Sequence, residues 1–132
     1  MKEFNSLYRC SICGKMAEVV LDGAGELVCC GQPMEKIESH KTDGEYSEKH
    51  LPVMKIEDNK KLVKIGAEPH PMTEEHYIMF VEAFSPDGKY MKRTYLNPNE
   101  KPELELECLC RTVQARAWCN VHGLWENVTS VR

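Results

Sequence analysis

The 132 residues, 42% hydrophobic and 29% charged, have the length and balance of one ordinary globular domain, or of one domain with a small appendage. No apolar run approaches the roughly 20 residues that a membrane-spanning helix needs, and the opening MKEFNSLYRC lacks the apolar stretch of a secretory signal, so a cytoplasmic protein without a membrane partner is expected. A net charge of -4 without clustered Lys and Arg disfavours nucleic acid as a partner.

The first 36 residues are rich in Cys and Gly, and four of the seven cysteines fall there as Cys10-x-x-Cys13 and the adjacent pair Cys29-Cys30. This segment is shorter than the roughly 40 residues at which an apolar core alone holds a domain, so it needs a staple. In a reducing compartment the spacing favours metal chelation over disulfides, and bound metal would contribute folding energy directly. Four soft thiolates suit zinc and iron equally. Gly14 and Gly31, each directly after a cysteine pair, suit a backbone turning tightly round an ion. Ligands on the neighbouring residues Cys29 and Cys30 imply some distortion from a regular tetrahedron.

Residues 37–49 are polar and charged, with a Thr42-Asp43-Gly44 turn signal, and read as a linker. Residues 50–132 then read as short strands. Leu51, Val53, Met54 and Ile56 give the first, and the Asp58-Asn59 turn leads to Leu62, Val63 and Ile65. A strand over His76 to Phe84 places Ile78, Phe80 and Phe84 on one face, and the Ser85 to Gly88 turn leads into Lys89 to Leu96. Leu104, Leu106 and Cys108 alternate with Glu103, Glu105 and Glu107; Val113, Ala115 and Ala117 alternate with Gln114, Arg116 and Trp118; Trp125 to Val131 can form the last strand. Seven short strands without a helical stripe predict a small antiparallel sandwich.

Four histidines, His50, His70, His76 and His122, fall at strand ends or in loops of this second segment. Cys119-x-x-His122 lets one turn present two ligands, and the prolines flanking His70 make its presentation rigid. Any one of these histidines alone is an ordinary surface or core residue. Four imidazoles and a thiolate together exceed the four ligands of a closed structural zinc site. Five ligands suit a square-pyramidal iron with one position open to a small molecule.

The motifs YRCSICG, LVCCGQPM, SEKHLPV, GAEPHPM-x-x-x-HYI and CNVHGLW resemble those of the desulfoferrodoxins, two-iron superoxide reductases, along nearly the whole chain. The resemblance implies a mainly β protein: a desulforedoxin-like, metal-stapled N-terminal domain followed by an immunoglobulin-like antiparallel β-sandwich. It implies two irons per chain, a ferric one on Cys10, Cys13, Cys29 and Cys30 and a ferrous one on His50, His70, His76, His122 and axial Cys119. It also implies one-electron reduction of superoxide to hydrogen peroxide at the second, re-reduction by an external donor such as rubredoxin, and a homodimer. Glu48 and Lys49 match the family's Glu-Lys-His signature; an Glu-Lys pair alone would read as a solvated charge pair, but beside His50 both can reach the open face. A non-catalytic, rubredoxin-like electron carrier, a zinc-stapled binding protein and a dismutase are the competing readings.

Three residues remain. Cys108 reads as a small buried hydrophobe on the face of Leu104 and Leu106. Cys110 has no identified partner; its proximity to Cys108 allows a redox role, which the wide spacing of an i, i+2 pair on a regular strand disfavours. His40 lies in the linker and matches no ligand of the family.

Overall fold

The structure is a computed structural model that describes residues 5–41, 50–66 and 70–131. All twelve of its described elements are β-strands, and the chain divides between Glu38 and Ser39 into two compact units. No helix among the described residues is long and apolar enough to cross a membrane.

Among the described residues of the smaller unit, Leu7 and Cys10 are the buried apolar ones, while Ile12, Val20, Leu21 and Val28 are exposed. Strands β1 (Leu7–Arg9), β2 (Met16–Glu18), β3 (Val28–Cys29), β4 (Gln32–Pro33) and β5 (Glu35–Lys36) are two or three residues each. They form a β2-β1-β5 sheet and a β3-β4 hairpin. Cys29 pairs with Gln32, so Cys30 and Gly31 are the two turn residues, with φ of 54° and 77°. Positive φ at both central positions defines the hairpin turn that suits strand twist, and glycine is the usual occupant. Cys30 is therefore a β-carbon-bearing residue held in the left-handed region, which is how two adjacent cysteines turn toward one point.

The described residues of the larger unit form seven strands: β6 (Pro52–Glu57), β7 (Lys60–Ile65), β8 (Ile78–Phe84), β9 (Met91–Tyr95), β10 (Glu103–Leu106), β11 (Thr112–Cys119) and β12 (Gly123–Ser130). They make an antiparallel three-stranded sheet, β10-β7-β6, and an antiparallel four-stranded sheet, β12-β11-β8-β9. Asp58 and Asn59, with φ of 50° and 61°, form the two-residue turn that the sequence predicts between β6 and β7. The core lies between the sheets: Met54, Val63, Ile65, Leu104 and Leu106 from one, and Ile78, Val81, Ala83, Val113, Ala115, Ala117 and Cys119 from the other. Two-sheet antiparallel packing over alternating inward residues is the sandwich the sequence implies.

On β6, Ile56 falls within the strand that the sequence predicts, on the face of buried Met54 but 58% exposed beyond the core. The sequence reading and the structure differ on two strands. On β8 the expected face of Ile78, Phe80 and Phe84 splits, because the β8–β11 register shifts between Trp118 and Cys119: Trp118 faces Phe80 but Cys119 faces Ile78. Such an irregularity inverts side-chain parity, so Ile78 joins Val81 and Ala83 in the core. Phe80 and Phe84 stay with Glu82 on the other face. Finally, β10 ends at Leu106, so Cys108 is not on a strand.

Candidate metal centres

In the smaller unit the β1–β2 turn carries Cys10 and Cys13. The amide of Gly14 donates to the Cys10 carbonyl at 2.9 Å, and the Cys13 amide points at the Cys10 sulfur at 3.5 Å. With Cys29 and Cys30 from the β3–β4 hairpin, all four sulfurs lie within 4.8 Å of one another. Cys13 Sγ is 3.6 Å from Cys29 Sγ, and Cys29 Sγ is 3.9 Å from Cys30 Sγ. Four sulfurs tetrahedrally placed about 2.3 Å from one ion would sit about 3.8 Å apart, so the cluster fits a metal. The thiols share protons unequally: amide donation, chiefly from Cys13, lowers Cys10 to about 6, whereas the Cys13 side chain, then Cys10, pushes Cys29 up to about 12. A metal ion would displace the remaining protons. Cys13 and Cys30 are exposed, so the cluster lies at the protein surface.

In the larger unit, the second cluster gathers at the end of the sandwich where β6 and β8 begin and β11 runs into β12. His50 directly precedes the Leu51 carbonyl, which accepts from Gly66 at 2.8 Å as β6 starts. His76 closes a tight loop in which Thr73 and His76 exchange backbone hydrogen bonds of 3.0 and 3.2 Å. Cys119 is the last residue of β11 and pairs with Gly123, leaving His122 in the three-residue connection. The ligand atoms of His50, His76, Cys119 and His122 lie within 4.8 Å of one another. His70 joins them, its Nε2 lying 2.9 Å from His50 Nε2.

The four imidazoles form a closed ring. Neighbouring centroids are 4.5 Å apart for His50 and His70, 4.8 Å for His70 and His76, 5.0 Å for His76 and His122, and 4.8 Å for His122 and His50. Neighbouring planes cross at 64° to 82°, while the His50–His76 diagonal spans 6.4 Å with planes 29° apart. Four nitrogens in a square about 2.1 Å from one ion would have neighbours about 3.0 Å apart. The observed 2.9 Å between His50 and His70, and 3.2 Å between His50 Nε2 and His122 Nδ1, match that edge. Cys119 Sγ lies 3.9 Å from His122 Nδ1. These residues fit a metal through four nitrogens and a sulfur.

The surroundings prepare the donors. His70 Nδ1 is 2.6 Å from the Pro71 carbonyl, which fixes the proton on that nitrogen and leaves Nε2 as the donor. Burial brings His70 down to about 4, so it is neutral at pH 7. Burial pushes the Cys119 thiol up, against donation from the His122 and Val121 amides. Trp125 stacks on His50 with centroids 4.9 Å apart and planes 20° apart, and its indole N–H donates to the His122 carbonyl at 3.2 Å.

Two residues unassigned in the sequence serve this end of the sandwich. His40 bridges to the edge of β12, donating to Leu124 O at 2.8 Å and accepting from the Glu126 amide at 2.9 Å, and its ring lies 4.6 Å from Trp125. Asn120 accepts from the Tyr77 amide at 2.9 Å and donates to the Glu75 carbonyl at 3.1 Å, tying the His76 loop to the Cys119–His122 turn. Asn120→Ala is expected to weaken metal retention at the histidine cluster about 10–100-fold, the usual effect of losing a group that orients ligands. Chelator competition checks this, with the four-cysteine centre as internal control. Glu48 and Lys49 lie outside the described residues.

The family models named Desulfoferrodoxin, N-terminal domain, and Desulfoferrodoxin match residues 2–37 and 42–128. The chain belongs to the desulfoferrodoxin family. It is 46% identical over 127 residues to a desulfoferrodoxin homolog of Archaeoglobus fulgidus, covering 96% of this chain and 99% of that one. A superoxide reductase of Pyrococcus abyssi is 36% identical over 97 residues, covering 61% of this chain and 84% of that one. The crystal structure of the superoxide reductase from Treponema pallidum superposes with a TM-score of 0.71 at 24% identity, covering 96% and 99% of the two chains, which is a likeness of fold. Each of the two donor groups can hold an iron.

Proposed function

We propose that this oxidoreductase is a superoxide reductase whose reaction takes place at the histidine cluster. The observation that carries the reading is the ring of four imidazoles with a buried cysteine sulfur beside it. Five donors exceed a closed structural site and suit a redox metal. Relatives named superoxide reductase support it. His50, His70, His76, His122 and Cys119 would hold an iron, which when bound would supply the electron that, with two protons, converts superoxide to hydrogen peroxide.

The chain's own residues set the conditions. As metal ligands, imidazoles would add no charge, leaving the net charge of the centre to the metal and the Cys119 thiolate, which would lend it electron density. In a chain of net charge -4, Lys49 supplies local positive charge that draws an anion and a proton for the departing product. Glu48, a hard carboxylate, serves the oxidised resting state. Residues 1–36 form the four-cysteine iron domain, 37–49 the connection bearing Glu48 and Lys49, and 50–132 the catalytic sandwich. Support comes from the family matches over 2–37 and 42–128 and the division after Glu38. An external donor such as rubredoxin restores the reduced state of a cytoplasmic homodimer.

Fast mixing of the reduced protein with superoxide tests this reading. Consumption of external reductant without oxygen evolution is expected; oxygen evolution would make the protein a dismutase. Two unit charges about 6 Å apart interact by about 1–3 kcal/mol at effective dielectrics of about 20 to 60. Lys49→Ala is therefore expected to slow capture about tenfold and to flatten its dependence on salt. Glu48→Ala should leave capture nearly unchanged. Equal slowing in both variants overturns the division of roles.

A further inference from the structure

A second pair of sulfurs lies at the other end of the sandwich. β10 stops at Leu106 and β11 starts at Thr112, so Cys108, Leu109 and Cys110 form a connection between strands. Cys119 ends β11, eight residues of strand from this connection, or about 24 Å at the usual rise. Neither cysteine belongs to a metal-holding group among the described residues. Leu109 is 97% exposed, whereas both neighbours are half-buried and pack against the core, so the connection turns its middle residue out and its two thiols in.

Lys61 holds this shape. Its ammonium donates to the Cys108 carbonyl at 2.8 Å and also to the Cys110 carbonyl. Drawing both carbonyls to one cation folds the chain in a way that a regular strand does not. The spacing along a strand, which argues against a bridge between i and i+2, therefore does not apply here.

We propose that Cys108 and Cys110 form a reversible dithiol–disulfide couple, a redox site separate from both metal clusters, whose oxidant is a small hydroperoxide. One sulfur attacks the peroxide: an S–O bond forms, the O–O bond breaks and water leaves. The second thiol displaces the hydroxyl from the first sulfur, forming the S–S bond and releasing a second water. Two electrons and both thiol protons go to one hydrogen peroxide, giving two waters. An external dithiol restores the pair. Burial and the neighbouring Cys108 push the Cys110 thiol up, and Lys61 acts against that rise. A disulfide closed across one residue is a small ring, and exposed or strained disulfides are the readily reduced ones. The source of peroxide within the same molecule rests on the proposed superoxide reduction, but the couple itself does not.

The test uses the full-length, iron-loaded protein, treated with hydrogen peroxide, quenched by alkylation, digested and weighed. The peptide containing both cysteines is expected to lose two hydrogens and both alkylation sites, and to regain them after dithiothreitol. The loss should persist in Cys119→Ser, which separates this proposal from the reading of the histidine cluster. It should be absent from Cys108→Ser and Cys110→Ser, and several-fold slower in Lys61→Met. Full alkylation of both cysteines after peroxide treatment overturns the proposal, as does a bridge from either one to any other cysteine.

Discussion

Cys119→Ser is expected to keep its fold and lose its chemistry. The side chain is fully buried at the end of β11, among core residues of both sheets. Exchanging sulfur for a hydroxyl there costs about 1–3 kcal/mol at a buried site, against the about 5–15 kcal/mol that typically holds a domain. The backbone pairing of Cys119 with Gly123 and Ile78 does not depend on the sulfur. The iron-loaded variant loses the only sulfur of that cluster and with it the sulfur-to-iron absorption of the oxidised centre. Superoxide reduction should fall by more than the about 10–100-fold that removal of an orienting group produces. Cys13→Ser is the complementary variant. It breaks the four-thiolate set, which shares no residue with the histidine set, so one iron should remain, with superoxide reduction intact when reductant is supplied directly. An unchanged absorption band in Cys119→Ser would make another residue the sulfur ligand. Loss of both irons in Cys13→Ser would remove the independence of the two centres.

Residues whose role depends on spacing along the chain were legible in the sequence. The cysteine pairs and the Cys119-x-x-His122 step each place donors within one turn, and Asp58-Asn59 specifies its turn by tolerating positive φ. The alternation on β11 names its inward residues correctly because that strand is regular up to Trp118. What failed depends on neighbours elsewhere in the sequence. The register shift opposite Cys119 reverses the parity of β8 and cannot be read from β8 alone. Glu103, Glu105 and Glu107 continue the pattern of β10 past its last ladder pair, Leu106 with Lys61, so alternation carried Cys108 onto a strand that has already ended. His40 and Asn120 act through backbone groups of distant segments, which no local pattern announces. The choice of nitrogen on His70 is set by the Pro71 carbonyl and His122 presents its Nδ1, both consequences of tertiary geometry.

Glu82 is the clearest case of such a hidden role, and Glu82→Ala is expected to cost more stability than any change at the protein surface. Glu82 is fully buried on β8, with Arg93 of β9 and Arg116 of β11 directly opposite on either side. Arg93 Nε and Nη2 lie 2.7 and 2.6 Å from Glu82 Oε2, and Arg116 Nε donates to Oε1. The same two guanidinium groups lie over Phe80 and Phe84, 5.8 and 5.9 Å from the ring centroids. One carboxylate thus joins the three adjacent strands of the four-stranded sheet and lets two cations cover its aromatic face. Removing one partner of a buried ion pair typically costs about 3–5 kcal/mol, because the remaining charge has lost its counter-ion in a poorly solvated place. Replacing the charges together with apolar residues of similar size is often close to neutral. Urea unfolding should therefore show Glu82→Ala destabilised by about 3–5 kcal/mol. The double variant Glu82→Leu with Arg116→Met should recover much of that loss. A change within about 0.5 kcal/mol, the range of ordinary surface substitutions, would mean that water already reaches the pair and that the sheet does not depend on it.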